Sequence, residues 1–241
     1  MSEATPPIPD VFEAMATARS FHRYRFDPIP EADLARILWA ATRAPSGTNR
    51  QPFRFIVLRD DDAGREARAV LADGFRRGWA HKVGAEGWQK EDDASRSTRR
   101  TRSMAAMQQF VDNFERIPVI VLACMHRYRG AHHGEGASVV PACQNLLLAA
   151  RGLGYGACFS GWHHVVESEL REMLGVPDDV VLSLTITLGR PEGSFGPVRR
   201  FPARQLIYDG HWGNEAAWVV DPPGSVFSRS RMKAAASYRV E

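Results

Sequence analysis

The alternation of hydrophobic and polar residues predicts three strands. Residues 180–188 alternate between apolar and hydroxyl side chains with a period of two, which is typical of a strand with two different faces. Residues 118–124 (PVIVLAC) are continuously apolar, which predicts a strand buried on both faces. A third strand is predicted over residues 53–59 (FRFIVLR), directly after a loop rich in turn-forming residues.

Helical periodicity is the other pattern in the chain, and Asp10 has the residue type that favours the N-cap of a first helix. Residues 137–153 are apolar on nearly every side, which predicts a helix buried in the core. Residues 62–115 favour helix but are polar. Because helices precede and interrupt the strands, the pattern favours an α+β fold with a central sheet. The helices predicted are 10–19, 30–43, 137–153 and 167–174.

The distribution of proline, glycine and charge predicts one main domain with two less regular ends. Residues 1–9 are rich in proline and are expected to form a flexible lead. Residues 10–213 form the main domain, and residues 214–241 form a C-terminal extension. Within the main domain, residues 75–115 are expected to form an insertion that acts as a lid. Its Trp79 and Trp88 either stack on an aromatic acceptor or pack in a core or an interface, and the sequence leaves these interpretations open.

Charge and cysteine content exclude several classes of protein. The 31 Lys and Arg residues nearly balance the 28 Asp and Glu residues, so the net charge of +3 indicates no particular partner. The arginine-rich stretch 96–102 is expected to be a solvated helix face, and we expect no nucleic-acid partner. Three cysteines without CxxC spacing favour free thiols over disulfides or zinc. The histidine pairs 132–133 and 163–164 lack acidic or cysteine partners at ligand spacing, so no metal site is predicted.

The chain also lacks the patterns of targeting and membrane segments. No apolar run approaches the roughly 20 residues that span a bilayer. The first ten residues have no apolar core, unlike a signal peptide. These observations predict a cytoplasmic protein without a membrane partner.

Three clusters of polar residues could bind a ligand. Arg19, Ser20, His22 and Arg23 combine cations with a short hydroxyl donor, the groups that bind a phosphate. A turn-rich loop supplies amide and hydroxyl groups suited to the edge of a flat heterocycle. A pair of arginines far along the chain could contact the same anion as the first cluster. The loop residues are Pro45, Ser46, Gly47, Asn49 and Gln51, and the later arginines are Arg199 and Arg200.

Taken together, these motifs resemble the nitroreductase superfamily of FMN-dependent enzymes. The family's APSxxNxQP[WF]xF motif is matched almost without change from Ala44 to Phe55. Its RRSxRxF opening is matched by residues 18–24, with Ala18 and His22 in place of two cations. Its LGxP strand end is matched by residues 188–191. The resemblance extends over about residues 12–212.

The resemblance implies a fold, a cofactor and a mechanism. The fold would be a central mixed or antiparallel sheet flanked by helices, in an intertwined homodimer with FMN at the interface. Arg19, Ser20, His22 or Arg23, and Arg200 or Arg199 would hold the phosphate, and the loop of the partner would line the ring. Ser160 and Gly161 would reach the N5 edge of the flavin. NAD(P)H would donate a hydride and a small acceptor, such as a nitro compound or quinone, would then take the electrons in a ping-pong cycle. The resemblance implies no catalytic residue.

Three alternatives remain open. The layout is also similar to the iodotyrosine deiodinase branch, which implies reductive dehalogenation, but that branch's Glu…Tyr…Lys clamp is missing from residues 72–102. A second alternative is a flavin-binding protein without turnover, acting as a store or sensor. The third is a basic module that binds nucleic acid, which would show steeply salt-dependent binding.

Overall fold

The computed structural model describes residues 9–85, 98–131 and 134–228. The described residues divide into two compact units, one ending at Ser194 and the other beginning at Phe195. The predicted start of the C-terminal extension, residue 214, falls within the second unit. Among the described residues, no helix has both the length and the apolar character needed to cross a membrane.

A four-stranded antiparallel sheet forms the centre of the first unit. Its strands are β1 (Phe53–Leu58), β2 (Val119–His126), β3 (Gly156–Ser160) and β4 (Val180–Gly189). They lie in the order β1-β2-β4-β3, so β1 and β3 are the two edges. The three strands predicted from the sequence are confirmed, whereas β3 is a strand that the sequence did not reveal.

The described helices agree with the helical periodicity of the sequence. The side chain of Asp10 accepts a hydrogen bond from the Glu13 amide at 2.8 Å, which confirms it as the first N-cap. Gly175 ends the sixth helix with a φ of 60°, a conformation that glycine adopts without strain. The α-helices are α1 (Val11–Thr17), α2 (Glu31–Ala41), α3 (Asp62–Ala85), α4 (Thr98–Asp112), α5 (Val139–Gly152) and α6 (Glu167–Leu174). Short 3₁₀ helices cover Gly47–Asn49, Phe114–Arg116, Glu135–Ala137, Trp162–Val166 and Ala203–Gln205.

Helices cover both faces of the sheet. Val121 of β2, Ile37 of α2 and Leu146 of α5 belong to one buried cluster on the first face. Ile120 and Leu122 point to the opposite face, since side chains alternate along a strand, and both are fully buried. On that side α3 contacts β1 and α6. β2 is therefore buried on both faces, as its continuous apolar run predicts.

One face of α5 lies open in the single chain, which differs from the all-round burial expected from the sequence. Val140 is 49% exposed, although Leu146 on the same helix is fully buried. The neighbouring helices α1 and α2 also expose large apolar side chains, with Phe12 at 79% and Trp39 at 64%. The apolar pattern of α5 thus includes side chains that the described residues do not bury.

The helical ends of residues 75–115 pack into the first unit. Phe75 and Phe114 are buried, and their ring centroids lie 4.1 Å apart. Trp79 is also buried, and its Nε1 donates to Gln108 Oε1 at 2.8 Å. Of the interpretations of Trp79, packing in the core is the correct one. Trp88 and the middle of the segment lie outside the described residues, and the lid stays a prediction.

The described residues of the second unit are mostly irregular. Its two short strands, β5 (Arg199–Arg200) and β6 (Val226–Phe227), pair in parallel. The carboxylate of Asp221 accepts from the Ala203 amide at 3.2 Å. Trp218 Nε1 donates to Asp209 at 3.0 Å. These bonds order the described part of the unit without an extensive sheet.

Candidate functional site

The predicted phosphate-binding segment lies along the free edge of β3. Ser20 forms a parallel bridge with Ala157, and the Phe21 amide donates to the Ala157 carbonyl at 3.1 Å. Glycine at position 156 permits this approach, because a Cβ atom there would lie 2.8 Å from the Phe21 ring. The buried Tyr24 hydroxyl donates to the Phe21 carbonyl at 2.8 Å and fixes the far end of the segment. Residues 19–23 are thereby held against the sheet.

Arg19 and Arg23 place two cations on this edge. Both side chains are exposed, and the Arg19 guanidinium lies 5.4 Å from the centroid of the Phe21 ring. Within the described parts of the chain, neither arginine forms an ion pair with a carboxylate. Two guanidinium groups without a carboxylate partner, beside the Ser20 hydroxyl, are suited to an anion such as phosphate.

His22 lies between the cations but has a different environment. Its ring packs edge-on against Phe110, with 5.2 Å between centroids, and its Nε2 lies 3.6 Å from Cys158 Sγ. Burial, and secondarily the charge of Arg19, lower the pKa of His22. Burial also raises the pKa of Cys158 to about 11, against the effect of a hydrogen bond from Ser20. At neutral pH His22 and Cys158 are therefore neutral, and Arg19 and Arg23 supply the positive charge.

Ser160 and Gly161 form the turn at the end of β3. Ser160 Oγ accepts from the Trp162 amide at 3.3 Å, and Gly161 precedes the 3₁₀ helix Trp162–Val166. Trp162 fixes this turn against α3, since a Cβ atom on Gly78 would lie 3.1 Å from its ring. The turn and the Arg19–Arg23 segment thus share one edge of the sheet.

His163 is a buried residue behind this turn, and sequence reasoning missed its role. Its side chain is fully buried, and Nε2 donates to the Leu182 carbonyl at 2.9 Å. Burial is the main cause that lowers its pKa. Its neighbour His164 instead points outward, with Nδ1 3.3 Å from Glu167. The HH dipeptide alone could not show which of the two histidines is buried. The other histidine pair, 132–133, lies outside the described residues.

The loop of residues 45–51 is ordered by its own polar groups. Ser46 Oγ accepts from the Gln51 amide at 2.9 Å, and the Gln51 side chain donates to Asn49 Oδ1 at 3.2 Å. Asn49 and Gln51 both have positive φ values, 55° and 50°. Pro45, Ser46 and Gly47 line a cavity of about 430 Å³ with residues that follow β2.

The loop and the β3 edge lie on opposite sides of the sheet. The loop leads into β1, whereas the Arg19–Arg23 segment borders β3. Three strand spacings separate these edges, a distance of roughly 14 Å. One chain therefore brings Arg19, Ser20, His22 and Arg23 together with Ser160 and Gly161, but does not bring the loop to them.

Arg199 and Arg200 belong to the second unit, where they form β5. Both side chains are exposed, and Arg200 Nη1 donates to the Arg199 carbonyl at 2.9 Å. Their contribution to the same anion site as Arg19 stays a prediction.

Comparison with known proteins gives the family. The sequence model of the Nitroreductase family matches residues 15–190. An NADH dehydrogenase of Thermus thermophilus is 30% identical over 222 residues, which cover 85% of this chain and 98% of that protein. A 5,6-dimethylbenzimidazole synthase of Rhodospirillum rubrum is 31% identical over 183 residues, covering 72% of this chain and 78% of that protein.

The solved structures agree on the fold. A variant of an FMN- and NADPH-dependent nitroreductase from Sphigopyxis sp. strain HMH superimposes with a TM-score of 0.63 at 24% identity. The match covers 84% of this chain and all of that one, 100%. The predicted α+β class with a central antiparallel sheet is confirmed. The length of the family match and the coverage of the Thermus thermophilus relative show that this chain belongs to the nitroreductase family of oxidoreductases.

Proposed function

We propose that the protein is an FMN-dependent oxidoreductase that transfers reducing equivalents from NAD(P)H to a small aromatic acceptor. The observation that carries the proposal is the shared edge of β3. The segment that holds Arg19 and Arg23 bridges this strand through Ser20, and the strand ends at Ser160, directly before Gly161. A candidate anion site and the turn after β3 thus lie along one strand. The fold similarity to an FMN- and NADPH-dependent nitroreductase supports the same assignment.

The residues on this edge fit the phosphate end of FMN. Arg19 and Arg23 would contact the phosphate oxygens, since guanidinium groups bind phosphate through paired donors. Ser20 and neutral His22 would add short hydrogen bonds without further charge. The sequence prediction that Arg199 and Arg200 contact the same phosphate stays a prediction. The amide of Gly161 and the hydroxyl of Ser160 would contact the edge of the flavin ring.

The remaining contacts would come from a second copy of the chain. Pro45, Ser46, Gly47, Asn49 and Gln51 lie on the opposite edge of the sheet, so the partner's loop would line the ring. The exposed apolar surface of α1, α2 and α5 supports a homodimer, because large apolar patches mark interfaces. This surface includes an apolar cavity of about 520 Å³ between the three helices.

The chemistry would belong to the cofactor, which when bound carries reducing equivalents between donor and acceptor. The chain's residues would bind and orient the reactants and keep positive charge near the phosphate. His22 and Cys158 lie 3.6 Å apart on this edge, and both are neutral at neutral pH. Neither is therefore assigned as a nucleophile or a general base.

An absorbance spectrum of the purified protein, before and after NADPH under argon, tests the proposal. Oxidised-flavin bands that bleach with NADPH, and recover on addition of a nitroaromatic or quinone, are the expected result. A bound flavin that stays oxidised with both NADH and NADPH would instead favour a store or sensor. A colourless protein that takes up no FMN would contradict the proposal.

A further inference from the structure

The turn after β3 carries an exposed histidine, His164, beside the glycine that would contact the edge of the flavin. The His164 amide donates to the Gly161 carbonyl at 3.1 Å, which closes the turn. The imidazole lies against Gly161, since a Cβ atom there would lie 3.5 Å from both Nε2 and Cδ2 of His164. The His164 side chain is 61% exposed. Its Nε2 atom is therefore next to the Gly161 backbone on an accessible part of the turn.

A carboxylate on the following helix, α6, orients this imidazole. His164 Nδ1 lies 3.3 Å from Glu167 Oε2, and Arg171 Nε donates to Glu167 Oε1 at 3.1 Å. Partial burial alone would raise the pKa of the Glu167 carboxyl, but the hydrogen bonds from His164 and Arg171 lower it. Glu167 is thus ionised at neutral pH. Because Glu167 engages Nδ1, Nε2 is the ring nitrogen that faces Gly161 and is left to exchange a proton.

The other titratable side chains of β3 and its turn are buried. The His163 ring lies 4.2 Å from that of His164 between centroids, but it is fully buried and its Nε2 donates to the Leu182 carbonyl. Cys158 is also buried, and burial raises its pKa to about 11. Among the described residues 156–166, His164 is therefore the side chain suited to give a proton to a bound molecule and to recover one from water near neutral pH.

Reduction of the acceptor needs a proton as well as a hydride. A nitro compound that takes up both becomes a nitroso compound and water, and a quinone becomes a hydroquinone. We infer that His164 is the catalytic acid of this step and donates its Nε2 proton to the oxygen of the acceptor. The inference rests on the proposed function, in which the hydride comes from NAD(P)H through the cofactor. The N–H bond of the imidazolium breaks as the O–H bond forms, and the imidazole then takes a proton from water.

Binding of an oxyanion tests the position of His164 without electron transfer. The probe is 2,4-dinitrophenolate, titrated into the oxidised protein at pH 6 and pH 8.5, where the probe stays anionic. An imidazolium at the acceptor oxygen would bind the oxyanion, so affinity should fall as the pH rises and the ring loses its proton. The titratable groups against the ring are His163, whose pKa burial lowers, and Glu167, which is ionised at neutral pH.

The variant His164→Gln should bind the anion about tenfold more weakly at pH 6, as for loss of a charge-assisted contact, and should show little dependence on pH. His211→Gln, the same change at an exposed histidine of the second unit, is the matched control and should behave as the parent protein. Equal affinity of the parent protein at both pH values, or the same pH dependence in both variants, would show that the inference is wrong.

Reoxidation of the reduced protein then tests the proton transfer itself. The acceptors are 4-nitroacetophenone, which needs a proton, and ferricyanide, which takes electrons without one. His164→Gln should slow reoxidation by 4-nitroacetophenone about 100-fold relative to His211→Gln and leave reoxidation by ferricyanide unchanged. Equal rates with the nitro compound in both variants, or an equal loss with both acceptors, would overturn the inference. A flavin that NAD(P)H does not reduce would contradict the proposed function instead, and protein reduced with dithionite would still decide the inference.

Discussion

Arg19 and His22 lie three residues apart on one segment, yet their surroundings give them different electrostatic properties. Arg19 is exposed, whereas His22 is partly buried against Phe110 and Cys158. Burial favours the neutral imidazole. The replacement of a family cation by His22 therefore leaves a hydrogen-bonding group, and the phosphate charge would be met by Arg19 and Arg23.

Removal of one of these charges tests their role. Arg19→Ala is expected to weaken FMN binding by about 10- to 100-fold, the range for loss of a charge-assisted hydrogen bond. The dissociation constant would be measured by flavin fluorescence after dialysis and titration of the apoprotein. Arg65→Ala provides the control for loss of a surface arginine. Full flavin occupancy of Arg19→Ala after extensive dialysis would contradict the assignment.

His163 predicts a pH dependence of stability. Its pKa is lowered mainly by burial, so the unfolded chain takes up a proton at a higher pH than the folded protein. Leu182 and Ser160 face the ring through their backbone, and His164 and Glu167 are its charged neighbours. Stability should fall as the pH decreases below about 6.5, the ordinary histidine value. The loss should continue until the lowered pKa is reached.

The measurement is the Tm between pH 7.5 and pH 5, compared with two histidine variants. His163→Gln should be less stable at pH 7.5, because its fully buried site is disturbed, and should show a flatter pH dependence. His164→Gln, at an exposed position with the same change of residue type, should keep the slope of the parent protein. Equal slopes in all three proteins would show that His163 does not contribute.

Single residues also show where the sequence was insufficient. The APSxxNxQP motif identified the loop, since its residue types and spacing are local properties of the chain. Whether Trp79 contacts a ligand or a core depends on Gln108 and Trp162, which are distant in sequence. The same holds for His163 and His164, which differ in burial although they are adjacent.

At the scale of elements, long periodic segments could be predicted and a short edge strand could not. β2 and β4 have apolar patterns that need no knowledge of their neighbours. β3 has only five residues, GACFS, with small side chains apart from Phe159 and no clear alternation. It becomes a strand through pairing with β4 and through its contact with Ser20. That non-local contact is also what forms the candidate site.

Gly156 gives a direct test of the contact between β3 and the Arg19–Arg23 segment. Gly156→Ala would place a Cβ atom 2.8 Å from the Phe21 ring, so the segment must move. We expect a loss of about 1–3 kcal/mol in stability, the usual cost of overpacking, together with weaker FMN retention. Chemical denaturation and flavin titration would measure the two effects.

A matched glycine variant separates this effect from the substitution itself. Gly84→Ala adds the same methyl group within α3, where none of the described groups outside the helix's own backbone lies within 4 Å of the added atom. It should be neutral or slightly stabilising, because alanine favours helix over glycine. Unchanged stability and unchanged flavin binding in Gly156→Ala would show that the close approach to Phe21 does not position the segment.

At the scale of the whole molecule, the motifs name both halves of the site but do not assign them to one chain. The sheet order shows that one chain does not bring the two halves together, because two strands lie between the strand that follows the loop and β3. The exposed apolar residues of α1 and α2 then indicate where a second copy would pack. Sequence periodicity predicts that such residues are buried, since an apolar pattern alone does not say what covers it.

Mixed dimers test whether each site is built from two chains. Arg19→Ala disables the β3 edge and Asn49→Ala alters the loop, so each homodimer should lose activity at limiting FMN. A mixed dimer with twofold symmetry would contain one site with both changes and one native site. With random exchange, half of the dimers are mixed, and about a quarter of all sites become native. Co-expression with different tags and purification over both tags would isolate this species.

The control combines two changes on the same edge. A mixed dimer of Arg19→Ala and Ser20→Ala has a defect in every site, because each site takes its β3 edge from one chain. Activity should therefore recover in the Arg19→Ala and Asn49→Ala mixture and stay low in the control. If light scattering verifies the dimers and activity recovers in neither mixture, the loop and the β3 edge act within one chain. The loop would then have to move across the roughly 14 Å that separates the two edges of the sheet.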